Sequence, residues 1–213
     1  MINKQLPVWL TDMQPVAFTN QPAWLAELRS KACDRFMQHG IPTRRHEQWK
    51  YSDLSKLSKI EFAQPPIIDE ALISELVHKE RMRADDSILF TMVNGCFMPG
   101  LSDLAKLPVN VVACGLAQAW EQHPELLEQN WGLFAEDNQR PFVGLNTTYC
   151  IDGLFLYLPP NTKLAAPVHL LSLTTGQTMF ATHPRHVIVM GEDSRLMMLE
   201  EHVSSMQESY LLN

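Results

Sequence analysis

The sequence lacks a long uninterrupted apolar run. No window reaches the roughly 18 consecutive apolar residues of a membrane-spanning helix. The first ten residues, MINKQLPVWL, include a proline and have neither an apolar core nor a small-residue cleavage pattern, so they do not predict a secretion signal. We therefore expect a cytoplasmic protein that does not enter a membrane.

The chain also lacks an excess of basic residues. Its 213 residues include 17 lysines and arginines against 24 aspartates and glutamates, which gives a formal net charge of −7. Proteins that bind nucleic acid unaided normally carry a basic patch or a basic excess, so this class of partner is not expected. The hydrophobic fraction of 46% is typical of a globular protein with one large or two small domains.

Cysteines are few and far apart. No two lie within a few residues of each other, which excludes the spacing of a zinc ribbon or of a CxxC redox pair. We expect four reduced, at least partly buried thiols: Cys33, Cys96, Cys114 and Cys150.

Catalytic and nucleotide-binding motifs are missing as well. The sequence contains no GxxxxGK[ST] phosphate loop, no GxSxG, HExxH or GxGxxG, and no EF-hand loop. It therefore predicts no catalytic residue and no cofactor-binding residue in this chain, and any use of ATP would belong to a partner.

Helical patterns dominate the part of the chain that precedes Pro141. Apolar residues recur at intervals of three and four from about Pro22 to His39, and Gly40 and Pro42 are typical of a helix end. Further helices are predicted over Ile68–Arg83, Leu116–His123 and Glu125–Trp131. Between them, Ser87–Val93, the turn signal Asn94-Gly95 and Cys96–Met98 predict a small hairpin, and Val109–Ala113 predicts another short strand.

From Pro141 onward the helical periodicity is lost and short apolar runs alternate with turns. This texture indicates an all-β sandwich, a barrel or a solenoid, and the pattern alone does not choose among them. We divide the chain into a helical domain, 1–140, and a β-rich domain, 141–213. The predicted strands of the second domain are Leu154–Leu158, Val168–Leu173, His186–Met190, Leu196–Leu199 and Tyr210–Leu212.

The segment after the first helix combines charges with aromatic residues. Two interpretations apply: the charges dock a partner with the aromatic residues as anchors, or the aromatic residues fasten a linker whose charges form weak surface pairs. We favour the second. The candidate interface residues are Arg44, Arg45, Trp49, Lys50 and Tyr51.

The same segment resembles a stretch of the SufB/SufD family, the scaffold proteins of iron–sulfur cluster assembly, and within it the SufD branch. The stretch Gly40-Ile-Pro-Thr-Arg-Arg-His-Glu-Gln-Trp-Lys-Tyr-Ser52 is similar to the family's "G-x-P-T-R/K-x-E-x-W-K-Y-T/S". Further similar pieces follow in the family's order: Phe90–Phe97 with Leu101-Ser102, Leu145–Gly153, Pro167–Leu171, His183–His186 and Leu199–Val203.

This resemblance implies an α+β fold, in which an N-terminal helical domain with a small hairpin precedes the first coils of a right-handed parallel β-helix. It also implies a non-catalytic scaffold that pairs with a SufB-like protein and supports a SufC-like ATPase. The cluster, ATP and a flavin would belong to the complex and not to this chain. Family members are about twice as long, so the resemblance covers their N-terminal half, and none of their functional residues is carried over.

Histidines of the β-rich part suggest one further site. His169, His186 and His202 lie at nearly equal intervals along the chain, and a coil as long as that interval would stack them as a metal-binding ladder. We treat them as weak metal candidates, since exposed or hydrogen-bonded strand histidines explain the pattern as well.

Two other functions remain open. A β-helix enzyme acting on polysaccharide needs clustered carboxylates, but the adjacent pairs Glu192-Asp193 and Glu200-Glu201 would point to opposite faces of a strand. A binding module without an assembly role would share the fold. The sequence ends at Asn213 within an apolar run, so we expect a truncated chain that self-associates through an unpaired strand edge.

Overall fold

The computed structural model describes residues 21–63, 65–66, 70–81, 86–131 and 140–205. The helices of these ranges are α1 (Ala23–His39), α2 (Glu70–Arg81), α3 (Leu116–Gln122), α4 (Pro124–Asn130) and α5 (Pro141–Tyr149). The strands are β1 (Ile88–Val93), β2 (Cys96–Phe97), β3 (Val112–Gly115), β4 (Leu154–Leu158), β5 (Val168–Thr174), β6 (Val187–Met190) and β7 (Met198–Ser204). None of the helices within these ranges is long and apolar enough to cross a lipid bilayer.

The strands form two mixed sheets in an α+β arrangement. One sheet has the order β2-β1-β5-β7 and the other has the order β3-β4-β6. From β4 onward the chain alternates between the sheets, and β4 and β5 each pair in parallel with the strand two places later. In each parallel pair, one strand of the other sheet therefore lies between the two partners in the sequence. Examples of paired residues are Val168↔Met198 and Phe155↔Val187.

Apolar side chains fill the space between the two sheets. Because successive strand residues face opposite sides, one set of alternate residues from each strand turns toward the other sheet. The buried members of this core are Ile88, Phe90, Met92, Phe97, Val111, Leu154, Leu156, Leu158, Val168 and Leu170. Burying each of these large side chains contributes roughly 1.5–3 kcal/mol, so this layer is a main source of stability.

Helices cover the outer faces of both sheets. Ile73 and Val77 of α2 pack on the face of the first sheet that carries Leu89 and Leu171. Trp120 of α3 belongs to the cluster that covers the outer face of β4. Strand β1 is therefore buried on both sides, which explains why its sequence, ILFTMV, is almost continuously apolar and not alternating.

The predicted hairpin forms, but it is not a separate feature of the helical region. Asn94 and Gly95 have positive φ angles of 48° and 84°, as a two-residue turn of this kind requires. Strand β1 also pairs in parallel with β5, and β3 pairs antiparallel with β4. Both pairings cross the predicted boundary before Pro141, so strands of the predicted helical domain belong to the sheets of the β-rich part.

The expectation that helical structure stops at Pro141 is wrong. Residues Pro141–Tyr149 form α5, which packs along α1. Pro141 occupies the first turn, where a missing N–H costs nothing. The helix is buried on several sides, with Leu145 1% and Thr148 1% exposed, so it has no polar stripe to reveal its period.

Strand bounds were predicted with uneven success. The predicted strand Leu154–Leu158 is confirmed residue for residue. The predicted strand Leu196–Leu199 is wrong in extent, because β7 runs from Met198 to Ser204 and its polar second half pairs along β5. The predicted strand Tyr210–Leu212 lies outside the described residues.

Candidate interaction surface

The turn that follows α1 is built by local hydrogen bonds. Gly40, with a φ of 68°, ends the helix, and its N–H donates to the carbonyl oxygen of Phe36 over 2.6 Å. Further along, the N–H of His46 donates to the carbonyl oxygen of Thr43 over 2.9 Å. A single 3₁₀ turn, Glu47–Trp49, then reverses the chain toward α5.

The two aromatic residues of this segment have different surroundings. Trp49 is half-buried, and its ring lies 5.3 Å from the ring of Phe142 in α5, at an interplanar angle of 61°. Such an edge-to-face pair fastens the turn to the helix. Tyr51 is 90% exposed and contacts the Lys50 ammonium, which lies 5.7 Å from its ring centre. Of these two aromatic residues, Trp49 therefore anchors the segment.

The candidate cations of the segment face solvent. Arg44 lies 3.8 Å from Asp53, and both side chains are more than half exposed, so the pair contributes little free energy. A hydrogen bond from the N–H of Ser55, more than the Arg44 charge, lowers the pKa of Asp53. Arg45 and Lys50 form no ion pair within the described part of the chain.

A groove of about 340 Å³ lies between the end of α1, the 3₁₀ turn and the start of α5. We call it the α1–α5 groove. Phe36 and Trp49 supply apolar walls, and the lining contains the acidic side chain of Glu47. Its basic lining side chains are Arg35, His39, His46 and Arg140.

Three of these basic residues, Arg35, His39 and Arg140, were not singled out from the sequence, whereas His46 lies in the charged segment that was. Arg35 and His39 both belong to α1, at the i and i+4 spacing that places two side chains on one helix face. This spacing of two basic residues was visible in the sequence. Arg140 joins them only because α5 packs against α1, a contact that no local pattern predicts.

The three candidate metal-binding histidines do not form a ladder. One repeat contains two strands, so the expected coil length was only half of the true one. As a result, His169 stands beside Leu199 in one sheet, and His186 directly precedes β6 of the other, where its Nε2 lies 3.9 Å from the Glu200 Oε1 that His202 also contacts. Within the described ranges no group of three or more histidine, cysteine, aspartate or glutamate side chains is arranged to hold a metal ion.

Each of the three histidines instead has a local contact. His169 is 1% exposed, and its Nε2 lies 3.0 Å from Oε2 of Glu201. His202 Nε2 lies 3.0 Å from Oε1 of Glu200. The Nδ1 of His186 accepts the N–H of Leu154 over 3.0 Å, and burial lowers the pKa of this histidine despite the nearby Glu200 carboxylate.

The acidic residues do not form a paired-carboxylate site. Glu200 and Glu201 lie on opposite faces of β7 and contact different histidines. Asp152 accepts the N–H groups of Phe97 and Ala117 over 2.8 and 3.0 Å, which joins β2 to the start of α3. Burial raises the pKa of the Asp152 carboxyl, and both of its oxygens accept hydrogen bonds from backbone N–H groups.

The cysteines are poor nucleophiles in this environment. All four are free, and burial raises the pKa of each thiol, to about 11 for Cys114 and for Cys150. A thiolate, and not a thiol, attacks sulfur or binds a metal. Neither of these two buried thiols is therefore prepared for sulfur transfer at neutral pH.

Comparison with known proteins identifies one family. A model described as the SufBD protein N-terminal region matches residues 2–170. An iron–sulfur cluster assembly SufBD family protein of Synechocystis is 30% identical over 184 residues, which cover 84% of this chain and 39% of that protein. The iron–sulfur cluster assembly protein SufD of Escherichia coli is 22% identical over 176 residues, which cover 80% of this chain and 37% of that protein. The chain thus spans less than two fifths of the length of these relatives.

Proposed function

Because the chain belongs to the SufBD family of iron–sulfur cluster assembly proteins, we propose that it is a non-catalytic scaffold subunit of a cytoplasmic assembly complex. The observation that carries this proposal is the family match over residues 2–170. The partners we propose are a SufB-like scaffold and a SufC-like ATPase, which would supply the second scaffold surface and the ATP hydrolysis.

The strand arrangement supports a β-helix as the form of this scaffold. Strands β4 to β7 alternate between two sheets, and each parallel pairing joins strands one repeat apart. This is the pairing expected of the first coils of a right-handed parallel β-helix. Two further bridges outside the named strands, Lys163↔Arg195 and Ala63↔Phe180, are parallel as well.

The chemistry of the described side chains favours a scaffold over an enzyme. Asp152 is engaged by backbone N–H groups, and the Glu200 and Glu201 carboxylates face apart. The thiols of Cys114 and Cys150 have a raised pKa. A polysaccharide-cleaving site would need two carboxylates facing one bond, so the enzyme alternative receives no support from these residues.

Exposed apolar side chains on the last two described strands provide a surface for further strands. Ile188 and Met190 of β6 are 39% and 46% exposed, although their strand partners Leu156 and Leu158 are fully buried. Leu199, which lies beside His169 on the outer face of β7, is 53% exposed and does not belong to this core face. Apolar residues in core positions are stabilised when another layer of strands covers them, so we propose that the scaffold extends or pairs at this side.

Co-expression tests this function. The chain is produced with the SufB-like and SufC-like proteins of its own source organism and purified through a tag on this chain alone. We expect both partners to co-elute, and Met190→Glu to reduce their recovery because it places a charge on the exposed apolar surface. Lys79→Glu, on the exposed side of α2, introduces the same side chain away from this surface and, despite its larger change in charge, should leave recovery unchanged. Elution of the chain without either partner contradicts the proposal.

A further inference from the structure

The α1–α5 groove concentrates positive charge on an acidic protein. Among the described residues that line it, two arginines and two histidines stand against one acid, Glu47; with histidines counted as neutral the lining carries a charge of +1, from two arginines less one glutamate, whereas the whole chain carries −7 on the same count. Basic groups gathered in a concave site with low-dielectric walls focus the electrostatic potential and attract anionic ligands. The groove therefore differs in sign from the average surface of this protein.

The start of α5 adds to this potential, and a local contact fixes one of the basic side chains. The lining residues Arg140, Pro141 and Gly144 belong to the start of α5, where the helix presents the positive end of its dipole. Thr43 engages Nδ1 of His46, with its N–H nitrogen 3.0 Å and its carbonyl oxygen 3.1 Å from that atom. The imidazole is thereby held at the groove through Nδ1.

The walls of the groove are apolar and held in place. Phe36 is 3% exposed, and Trp49 is fixed by the ring of Phe142. Pro42 and Pro141 also line the groove, and their rings restrict the backbone on two sides. A ligand that fills this space must combine an apolar group with negative charge.

Positive charge continues beyond the groove along the same segment. Arg44, Arg45 and Lys50 flank the lining residues, and all three are exposed. A small anion inside a 340 Å³ space would not reach these side chains. An extended acidic polypeptide would contact both the groove and these flanking cations.

We propose that the α1–α5 groove is a docking site for an acidic protein segment, with one bulky apolar side chain in the groove and carboxylates against the basic residues around it. The site depends on α1, the 3₁₀ turn and α5 only. It is therefore independent of the proposed role in cluster assembly, and either proposal can fail without the other.

A fluorescence anisotropy titration tests the site. The probe is a fluorescein-labelled octapeptide in which glutamate and aspartate alternate, except at the fourth position, which is phenylalanine. This peptide is titrated with the 213-residue chain. We expect saturable binding that weakens from about 50 to about 300 mM salt, because exposed charges are screened. Replacing the phenylalanine by alanine, or the acids by their amides, should each weaken binding about tenfold.

Variants of the chain locate the site. Arg140 is exposed, so Arg140→Glu leaves the core intact and is expected to weaken binding of the probe about tenfold or more. Lys79→Glu makes the same charge change on α2 and should change binding less than about twofold. Circular dichroism of each variant confirms that the fold is retained.

Several results would overturn the proposal. One is the absence of saturable binding of the phenylalanine peptide. Others are equal binding of the amide peptide, or equal effects of Arg140→Glu and Lys79→Glu. The last is displacement of the peptide by citrate with a dissociation constant as low as that of the peptide. The groove would then be a site for small anions and not for a protein segment.

Discussion

Substitution of Asn94 tests how the first hairpin is joined to the parallel sheet. Its Nδ2 donates to the carbonyl oxygen of Thr175 over 2.9 Å, and its Oδ1 accepts the N–H of Thr175 over 2.9 Å. Its own N–H donates to the carbonyl oxygen of Leu173 over 2.9 Å. Asn94 is 4% exposed and has a φ of 48°, so one residue holds a strained turn and clamps the loop after β5.

The magnitude follows from these contacts. Asn94→Ala removes these two side-chain hydrogen bonds, worth about 0.5–1.5 kcal/mol each, and deprives Thr175 of both partners in a half-buried loop. It also removes a longer contact of 3.4 Å from Nδ2 to the carbonyl oxygen of Pro66. Alanine at a positive φ costs about 1 kcal/mol more than asparagine or glycine there. We expect Asn94→Ala to lower the free energy of unfolding by about 2–4 kcal/mol. Asn94→Gly should lower it by about 1 kcal/mol less, because glycine relieves the backbone strain alone.

Urea unfolding followed by fluorescence and by far-UV circular dichroism measures these changes, with m-values compared among the variants. Asn161 provides the matched control: it has a φ of 63°, and no side-chain hydrogen bond to it is found within the described ranges. Asn161→Ala should therefore cost only the strain, about 1 kcal/mol. Hydrogen exchange should show faster exchange of the Thr175 amide in Asn94→Ala. Wild-type stability in Asn94→Ala, or equal losses in Asn94→Ala and Asn161→Ala, would refute the clamp.

Two further predictions concern the core. Leu156→Ala, at a fully buried position between the sheets, should cost about 2–5 kcal/mol in thermal or urea unfolding, whereas Ile188→Ala, its exposed neighbour on β6, should cost less than about 1 kcal/mol. Equal losses would mean that the inner face is not packed as described. Burial lowers the pKa of His183 to about 4, so the folded protein keeps this imidazole neutral while the unfolded chain binds a proton below about pH 6.5. Stability should fall by about 2–3 kcal/mol as the pH decreases from about 6.5 to about 4, and His183→Gln should flatten that decrease; an unchanged slope contradicts the assignment.

Local elements could be predicted from the sequence where one short-range rule decides. Strand β4 is an apolar run between turn residues, and its predicted bounds are confirmed. The same holds for the end of α1, which a glycine with positive φ follows, and for the Asn94-Gly95 turn. In each case a conformational requirement selects the residue type at a known offset.

Long-range pairing could not be predicted in this way. Strand β1 pairs with β5 at Ile88↔Val168, although helices α3 to α5 and strands β2 to β4 lie between them in the sequence. The apolar run of β1 does not indicate which strand it joins. The histidine spacing was misleading for the same reason. It matches the distance between consecutive strands, which lie in opposite sheets, whereas true neighbours such as Val168 and Met198 are one two-strand repeat apart. The α1–α5 groove likewise brings Arg35 to Gly144 and exists only after tertiary packing.

The two edges of each sheet differ in the kind of strand that forms them. At one side the antiparallel strands β2 and β3 pair with β1 and β4, and short antiparallel edge strands oppose further parallel growth. At the other side, β6 presents Ile188 and Met190 in register with the buried Leu156 and Leu158, and β7 presents Leu199 on its outer face beside His169. Short antiparallel strands are suited to end a sheet, so the edge formed by β2 and β3 differs from the edge formed by β6 and β7, which is open to a further parallel strand.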